Sequence, residues 1–171
     1  MNYLVVRNEA VSQIKAVFKA DARLVIEAHP GSFSEAEIRR LVTRTPAILT
    51  ALVRISYGEV QDESVCDFVS WIICRANNQD TLYDGALKII SALVPALRKL
   101  DTPWCLDGGT GIEADCMYSG SLDQINITLW AVKWRWRIRG IPEDPENFEG
   151  YDAVHEVGTQ TAEDTINFGG G

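Results

Sequence analysis

The residues that could do chemistry are few and scattered. His29 and His155 are the two histidines of the 171-residue chain, and neither stands at a spacing that builds a histidine-based catalytic or zinc site. Cys66, Cys74, Cys105 and Cys116 lie 8, 31 and 11 residues apart, which matches no zinc-finger or thioredoxin-like pattern. In a reducing cytoplasm they read as small buried hydrophobes. Cys66 and Cys74 share parity in a strand-like segment and so point to one face. Gly108-Gly109-Thr110-Gly111 is glycine-rich, but no lysine follows and no helix is expected there, so a flexible approach to a hairpin is the reading and phosphate cradling is not. Glu113 and Asp115 alternate onto one strand face, a pairing that could serve acid/base work or hold a cation. Nothing else converges on them, which leaves a solvated strand face. The expectation is a non-enzyme with no catalytic residue, no metal and no cofactor.

One segment does stand out. In Ile125–Arg139 the period of two puts Trp130, Val132, Trp134, Trp136 and Ile138 on one face and Lys133, Arg135, Arg137 and Arg139 on the other. Same-side neighbours on a strand are roughly 7 Å apart, so a row of cations repels itself unless acids neutralise it. Three accounts follow. Local carboxylates meet the cations, the chain's own acidic C-terminal segment included. The interleaved aromatic and basic residues bind nucleic acid. Or the strand is an interface on which a neighbouring subunit's acidic arm lies. The overall net charge of −8 and pI near 4.7 argue against free nucleic-acid binding, which needs a broad basic footprint.

The elements that must position this strand are legible from periodicity. Between Arg7 and Ala20, Ala10, Val11, Ile14, Val17 and Phe18 fall at helical spacing. Leu24–His29 reads as a short strand closed by the Pro30-Gly31 turn. Ser34 and Glu37 form a capping box that opens a second helix, with Ile38, Leu41 and Val42 buried and Arg39, Arg40 and Arg44 on its polar side as a candidate interface. That helix stops before Pro46, because the preceding residue is pushed toward an extended conformation. Ala47–Tyr57 is apolar and β-branched with little alternation, as expected of a central strand covered on both faces. Ser64–Ala76 is its antiparallel neighbour, with Phe68 on one face and Val65, Val69 and Trp71 on the other. Leu82, Ala86, Ile89, Ile90, Leu93, Val94 and Leu97 predict the longest helix, with Thr81 and Asp84 giving a weak capping signal and Pro95 ending or kinking it. Asp101–Gly111 is a loop. Ile112–Tyr118 then pairs with the final strand through a several-residue connection, Ser119-Gly120-Ser121. The predicted fold is α+β, an antiparallel-rich mixed sheet flanked by helices.

Length and composition fit one globular domain over residues 1–142. No apolar run approaches the roughly 20 residues of a membrane span, and the opening MNYLVVRNEAVSQ lacks the regions of a secretory signal. Residues 1–142 hold 16 acidic and 16 basic side chains, so the whole net charge of −8 falls in residues 143–171, which contain no Lys or Arg. This stretch has no sustained periodicity and ends in glycines. It reads as an extended acidic C-terminal arm, with Tyr151, Val154, Val157 and Ile166 as apolar anchors.

Two stretches of the chain carry a resemblance. His29-Pro30-Gly31-Ser32-Phe33-Ser34, followed by Arg39-Arg40-Leu41-Val42-Thr43-Arg44-Thr45-Pro46-Ala47-Ile48-Leu49, resembles the Mu-like bacteriophage tail terminator family: a strand, Pro-Gly-x-Phe, a helix bearing Arg-Arg-Leu, then Arg-x-Pro-Ala into an apolar strand. Tyr118-Ser119-Gly120-Ser121-Leu122, running through Leu129-Trp130-Ala131-Val132 to Trp134, is similar to that family's closing hairpin. The two stretches bracket residues 5–142. What the resemblance implies is a structural virion protein of the tail or neck, made in the bacterial host cytoplasm. It would form a hexameric ring that caps the tail tube and joins the tail to head-completion proteins. Its partners would be its own copies, the tube protein, the sheath protein if the tail contracts, and neck proteins, with DNA in the channel as a further candidate contact and no membrane. Alternative readings are another neck component, such as a head-completion or connector subunit, and a nucleic-acid-binding module built on the basic final strand.

Overall fold

The computed structural model describes residues 2–31, 44–60, 62–76, 78, 81, 83–122 and 125–140. Tyr3–Ile141 clusters as a compact unit by itself. Its described elements are α1 (Tyr3–Val17), β1 (Val25–Ala28), β2 (Ala47–Tyr57), β3 (Glu63–Ala76), α2 (Asp84–Leu97), β4 (Thr110–Leu122) and β5 (Ile125–Arg139). The fold is α+β: a five-stranded mixed sheet in the order β1-β2-β3-β5-β4 with two described helices. β1 pairs with β2 in parallel, and the other three pairings are antiparallel. The helix expected from Ser34 lies outside the described residues.

α1 buries Val6, Ala10, Val11 and Ile14, a stripe whose spacing follows the helical repeat. A fully buried Ile14 alone contributes roughly 1.5–3 kcal/mol. The helix starts at Tyr3, a turn before the expected Arg7, because the Tyr3 hydroxyl hydrogen-bonds the Ser64 hydroxyl on β3 at 2.8 Å and Val6 is drawn into the core. It ends at Val17, short of the expected Ala20, and Val17 itself is exposed.

α2 buries Ala86, Leu93 and Leu97. At 14 residues it is not the longest helix, since α1 has 15. The expected Thr81 cap is absent. Thr81 turns its N–H and hydroxyl to the Asn78 side-chain oxygen, at 3.0 and 2.6 Å, and no side chain caps the helix at Tyr83. Pro95 sits in the last turn, where the ring's missing donor shortens the helix as predicted.

Both described helices lie on the face of β3 that carries Ser64, Cys66, Phe68, Ser70, Ile72 and Cys74. Tyr3 of α1 reaches Ser64, Gly85 of α2 lies beside Cys74, and Tyr83 meets Trp130 of β5 edge-to-face. The core on this face is aromatic. Phe68 and Trp134 stack at 4.3 Å with their rings 9° apart, and Trp136 and Ile138 are fully buried beside them. Its polar contacts are partial: the Trp134 indole N–H donates to the Ser70 hydroxyl at 3.2 Å, and Ser70 and Thr50 share a hydrogen bond of 2.9 Å, whereas the buried indole nitrogens of Trp130 and Trp136 have no hydrogen-bond partner among the described residues.

β2 departs from the expected central strand covered on both faces. Ala47–Ala51 are buried whichever way they point, but the strand opens to solvent from Leu52. The change coincides with the end of its outer partner: β1 lines only Ala47 to Thr50, and a bulge at Leu52/Arg54 follows. β3 is the central strand. The closing hairpin also differs. Pairing continues through Ser119, Gly120 and Ser121 to Leu122↔Ile125, so the expected several-residue connection belongs to the ladder itself.

Candidate functional site: the charged face of the closing strands

β5 covers the predicted residues Ile125–Arg139 and keeps their alternation. Val132, Trp134, Trp136 and Ile138 are buried, Trp130 is half-buried, and Lys133, Arg135, Arg137 and Arg139 are exposed. The register then decides what the cations meet. β3 sets Asp67 opposite Arg135 and Glu63 opposite Arg139, and both pairs are ion-paired, Arg135 Nε lying 2.8 Å from the Asp67 carboxylate. On the other side, Asp115 of β4 sits opposite Ala131 and reaches diagonally to Lys133 Nζ at 2.8 Å. That hydrogen bond and the Asp115 charge raise the lysine's pKa.

Arg137 is paired by a loop. Beyond the end of β4, the segment around Cys105 takes the place of a strand beside β5: the Leu106 N–H donates to the Arg137 carbonyl and the Arg139 N–H to the Trp104 carbonyl, each at 2.8 Å. The next residue, Asp107, then lies 3.1 Å from Arg137 Nε. The adjacent glycines hold this loop against the C-terminus of α2. The Gly109 N–H donates to the Leu97 carbonyl at 2.8 Å, and a Cβ on Gly108 would overlap the Arg98 carbonyl. The expected flexible approach is therefore a close-packed one. The Gly109 N–H is engaged at a helix end.

All four cations of the stripe thus meet a carboxylate on a flanking strand or loop, which is the local-carboxylate account of the row. Between these pairs lies an open groove of about 360 Å³, lined by Val53, Asp67, Val69, Glu113, Lys133 and Arg135 among others. A further cation of this face, Arg54 after the β2 bulge, stands 4.0 Å from Asp67.

The other candidates are dispersed. Arg44 makes a two-pronged contact with Glu27 of β1, at 3.1 and 2.6 Å, three strands away from β5. Arg39, Arg40, Tyr151, Val154, Val157 and Ile166 lie outside the described residues. His29 is buried, its Nδ1 accepts the Gly31 N–H at 3.1 Å, and its ring meets Trp71 edge-on. Cys66 and Cys74 are buried on one face, as their parity predicts. Cys105 is half-buried and Cys116 exposed, contrary to the reading of all four as buried. Cys116 is exposed because β4 is an edge strand that α2 barely reaches. Among the described residues, no three His, Cys, Asp or Glu side chains gather to hold a metal ion, and no helix is long and apolar enough to cross a membrane.

Besides Glu63 of β3, sequence reasoning missed Asp67 and Asp107. Neither stands in a motif, and their roles depend on a register and a loop path that local pattern does not encode. Compared with known proteins, the chain matches no protein-family model and no curated sequence.

Proposed function

We propose that this chain is a structural ring subunit of a Mu-like phage tail, a terminator that caps the tail tube and joins it to neck proteins. The supporting observation is where the resembling residues fall in the fold. His29-Pro30-Gly31 closes β1, Pro46-Ala47 opens β2, and Tyr118 to Trp134 builds the β4–β5 hairpin. The motif residues thus mark the joints of the sheet, where a family pattern without catalytic residues would lie.

On this reading the protein does no chemistry and needs no cofactor. Its partners are its own copies, the tube protein, neck proteins and, in a contractile tail, the sheath. The acidic segment 143–171 is an arm for a neighbouring subunit or ring. Pairing of the β5 cations with local acids favours an assembly role over a nucleic-acid one, since phosphate binding draws on cations free to release counterions.

Light scattering and negative-stain microscopy of the purified full-length protein, alone and with preformed tail tubes, test the proposal. Rings, free or seated on tube ends, are the expected result. A monomer that ignores tubes and binds DNA with steep salt dependence would overturn it.

A further inference from the structure

β4 is bare to an unusual degree. Glu113, Ala114, Asp115, Cys116, Met117 and Tyr118 are all exposed, although successive residues point to opposite faces. Both faces of this stretch are open to solvent in part, and among the described residues no strand pairs with β4 on the side away from β5. An open edge of this kind is a template for another strand, and proteins blunt such edges with lysine, proline or short length. β4 has 13 residues and neither lysine nor proline. Met117 alone is 60% exposed.

The opposite end of the sheet offers a second open edge. β1 pairs only with Ala47–Thr50, so from Ala51 to Tyr57 β2 has no outer partner among the described residues. Val53 and Tyr57 are exposed there.

Three features make the two edges complementary. The charges of β4 are both acidic, Glu113 and Asp115, whereas Arg54 is the charged residue of the open part of β2. The register puts all three on the same face of the sheet, with Arg54 opposite Asp67, Glu113 opposite Lys133 and Asp115 opposite Ala131. And because β2–β3, β3–β5 and β5–β4 are each antiparallel, β2 and β4 run in opposite directions. Set edge to edge, they extend one antiparallel sheet with its charged face unbroken.

We propose that the Glu113–Tyr118 edge of β4 pairs with the Ala51–Tyr57 edge of β2 in a second copy of this chain. The two edges are different surfaces, so the contact is head-to-tail and repeats from copy to copy until the ring closes. This assignment rests on the ring-subunit reading and names its contact surface. Arg54, held loosely by its own Asp67, stands across the seam from the acids of the neighbour.

Oxidative cross-linking of the full-length protein tests it, because Cys116 already supplies one thiol at the seam. Leu52→Cys and Ile55→Cys, introduced singly, place the second thiol on the Cys116 face of β2. Each variant is expected to give a ladder from dimer up to the full ring, abolished by adding Cys116→Ser. Arg54→Glu, at a side chain 73% exposed, is expected to weaken assembly about tenfold or more without loss of fold by circular dichroism. Dimers alone, formed equally by the unaltered chain through Cys116, would overturn the head-to-tail seam. Rings in negative stain without a ladder from either variant would overturn the seam and leave the ring reading intact. Monomers without a ladder, both alone and with preformed tail tubes, would overturn both.

Discussion

The Asp67 carboxylate accepts a hydrogen bond from Arg135 Nε at 2.8 Å and lies 4.0 Å from Arg54 Nε, so one acid on β3 links the strands on either side of it. Its side chain is only 21% exposed, against 52% for Asp115, which pairs with Lys133 farther out. Screening by water weakens an ion pair as exposure rises.

Asp67→Asn is therefore expected to cost stability, by about 0.5–1 kcal/mol, while Asp115→Asn changes it little. Urea denaturation of the two variants checks the order. The Asp67 effect should shrink at high salt, which screens these partly solvated charges.

Ser70→Ala removes the acceptor of the Trp134 indole N–H and the partner of the Thr50 hydroxyl in one step. Ser70 and Thr50 are fully buried and Trp134 nearly so. Leaving such donors unmet costs about 1–3 kcal/mol. A fall in the urea midpoint of that size, with a change in tryptophan emission, is the expected outcome.

Gly109→Ala puts a Cβ 2.7 Å from the Leu97 carbonyl oxygen and 3.0 Å from its carbon. The obstacle is backbone at a helix end, so it does not swing aside as a flexible side chain would. Overpacking of this kind costs about 1–3 kcal/mol. The thermal midpoint should drop, and because the loop carries Asp107, contact with Arg137 should loosen with it.

The buried thiols predict an alkaline weakness. Burial, with the Asp67 charge nearby, pushes Cys66 from its ordinary value of 9.0 up to about 12, and burial pushes Cys74 to about 11. Above about pH 9 the unfolded chain loses these protons while the folded chain keeps them, so unfolding is favoured as pH rises. The stabilising contribution is whole below pH 9 and fades as pH climbs through the folded values. Urea titrations at about pH 8 and about pH 10 should show that decline, and Cys66→Ala should make it shallower. At neutral pH a chromogenic thiol reagent should label Cys116 at once and reach Cys66 and Cys74 only after unfolding.

Much of this architecture is legible in local pattern, because burial repeats at the period of the element. The alternation of Trp134, Arg135, Trp136 and Arg137 marked β5 to the residue, and Ala10, Val11 and Ile14 marked the buried stripe of α1. Features set by distant partners were not legible. β2 looks covered along its length because its composition is uniform, yet it opens to solvent beyond the stretch that β1 lines. Ser119-Gly120-Ser121 has turn composition, yet pairing with β5 holds it in the ladder. Half of the neutrality of the β5 stripe comes from Asp67 and Glu63, whose part in it emerges only when β3 is laid beside β5 in register.

That same register governs how the chain reaches its fold. Glu63 and Arg139 are ion-paired neighbours across the central seam, yet 76 residues separate them in the chain. A pairing so far apart must first meet the entropy of closing a long loop, and folds dominated by such contacts form slowly. During synthesis β3 leaves the ribosome long before β5. Cys66, Phe68 and Ile72, which end up under the tryptophans of β5, wait without that cover. The nascent chain is thus exposed to aggregation over this interval, and its yield in a cell should respond to translation speed and chaperone supply more than its final stability would indicate.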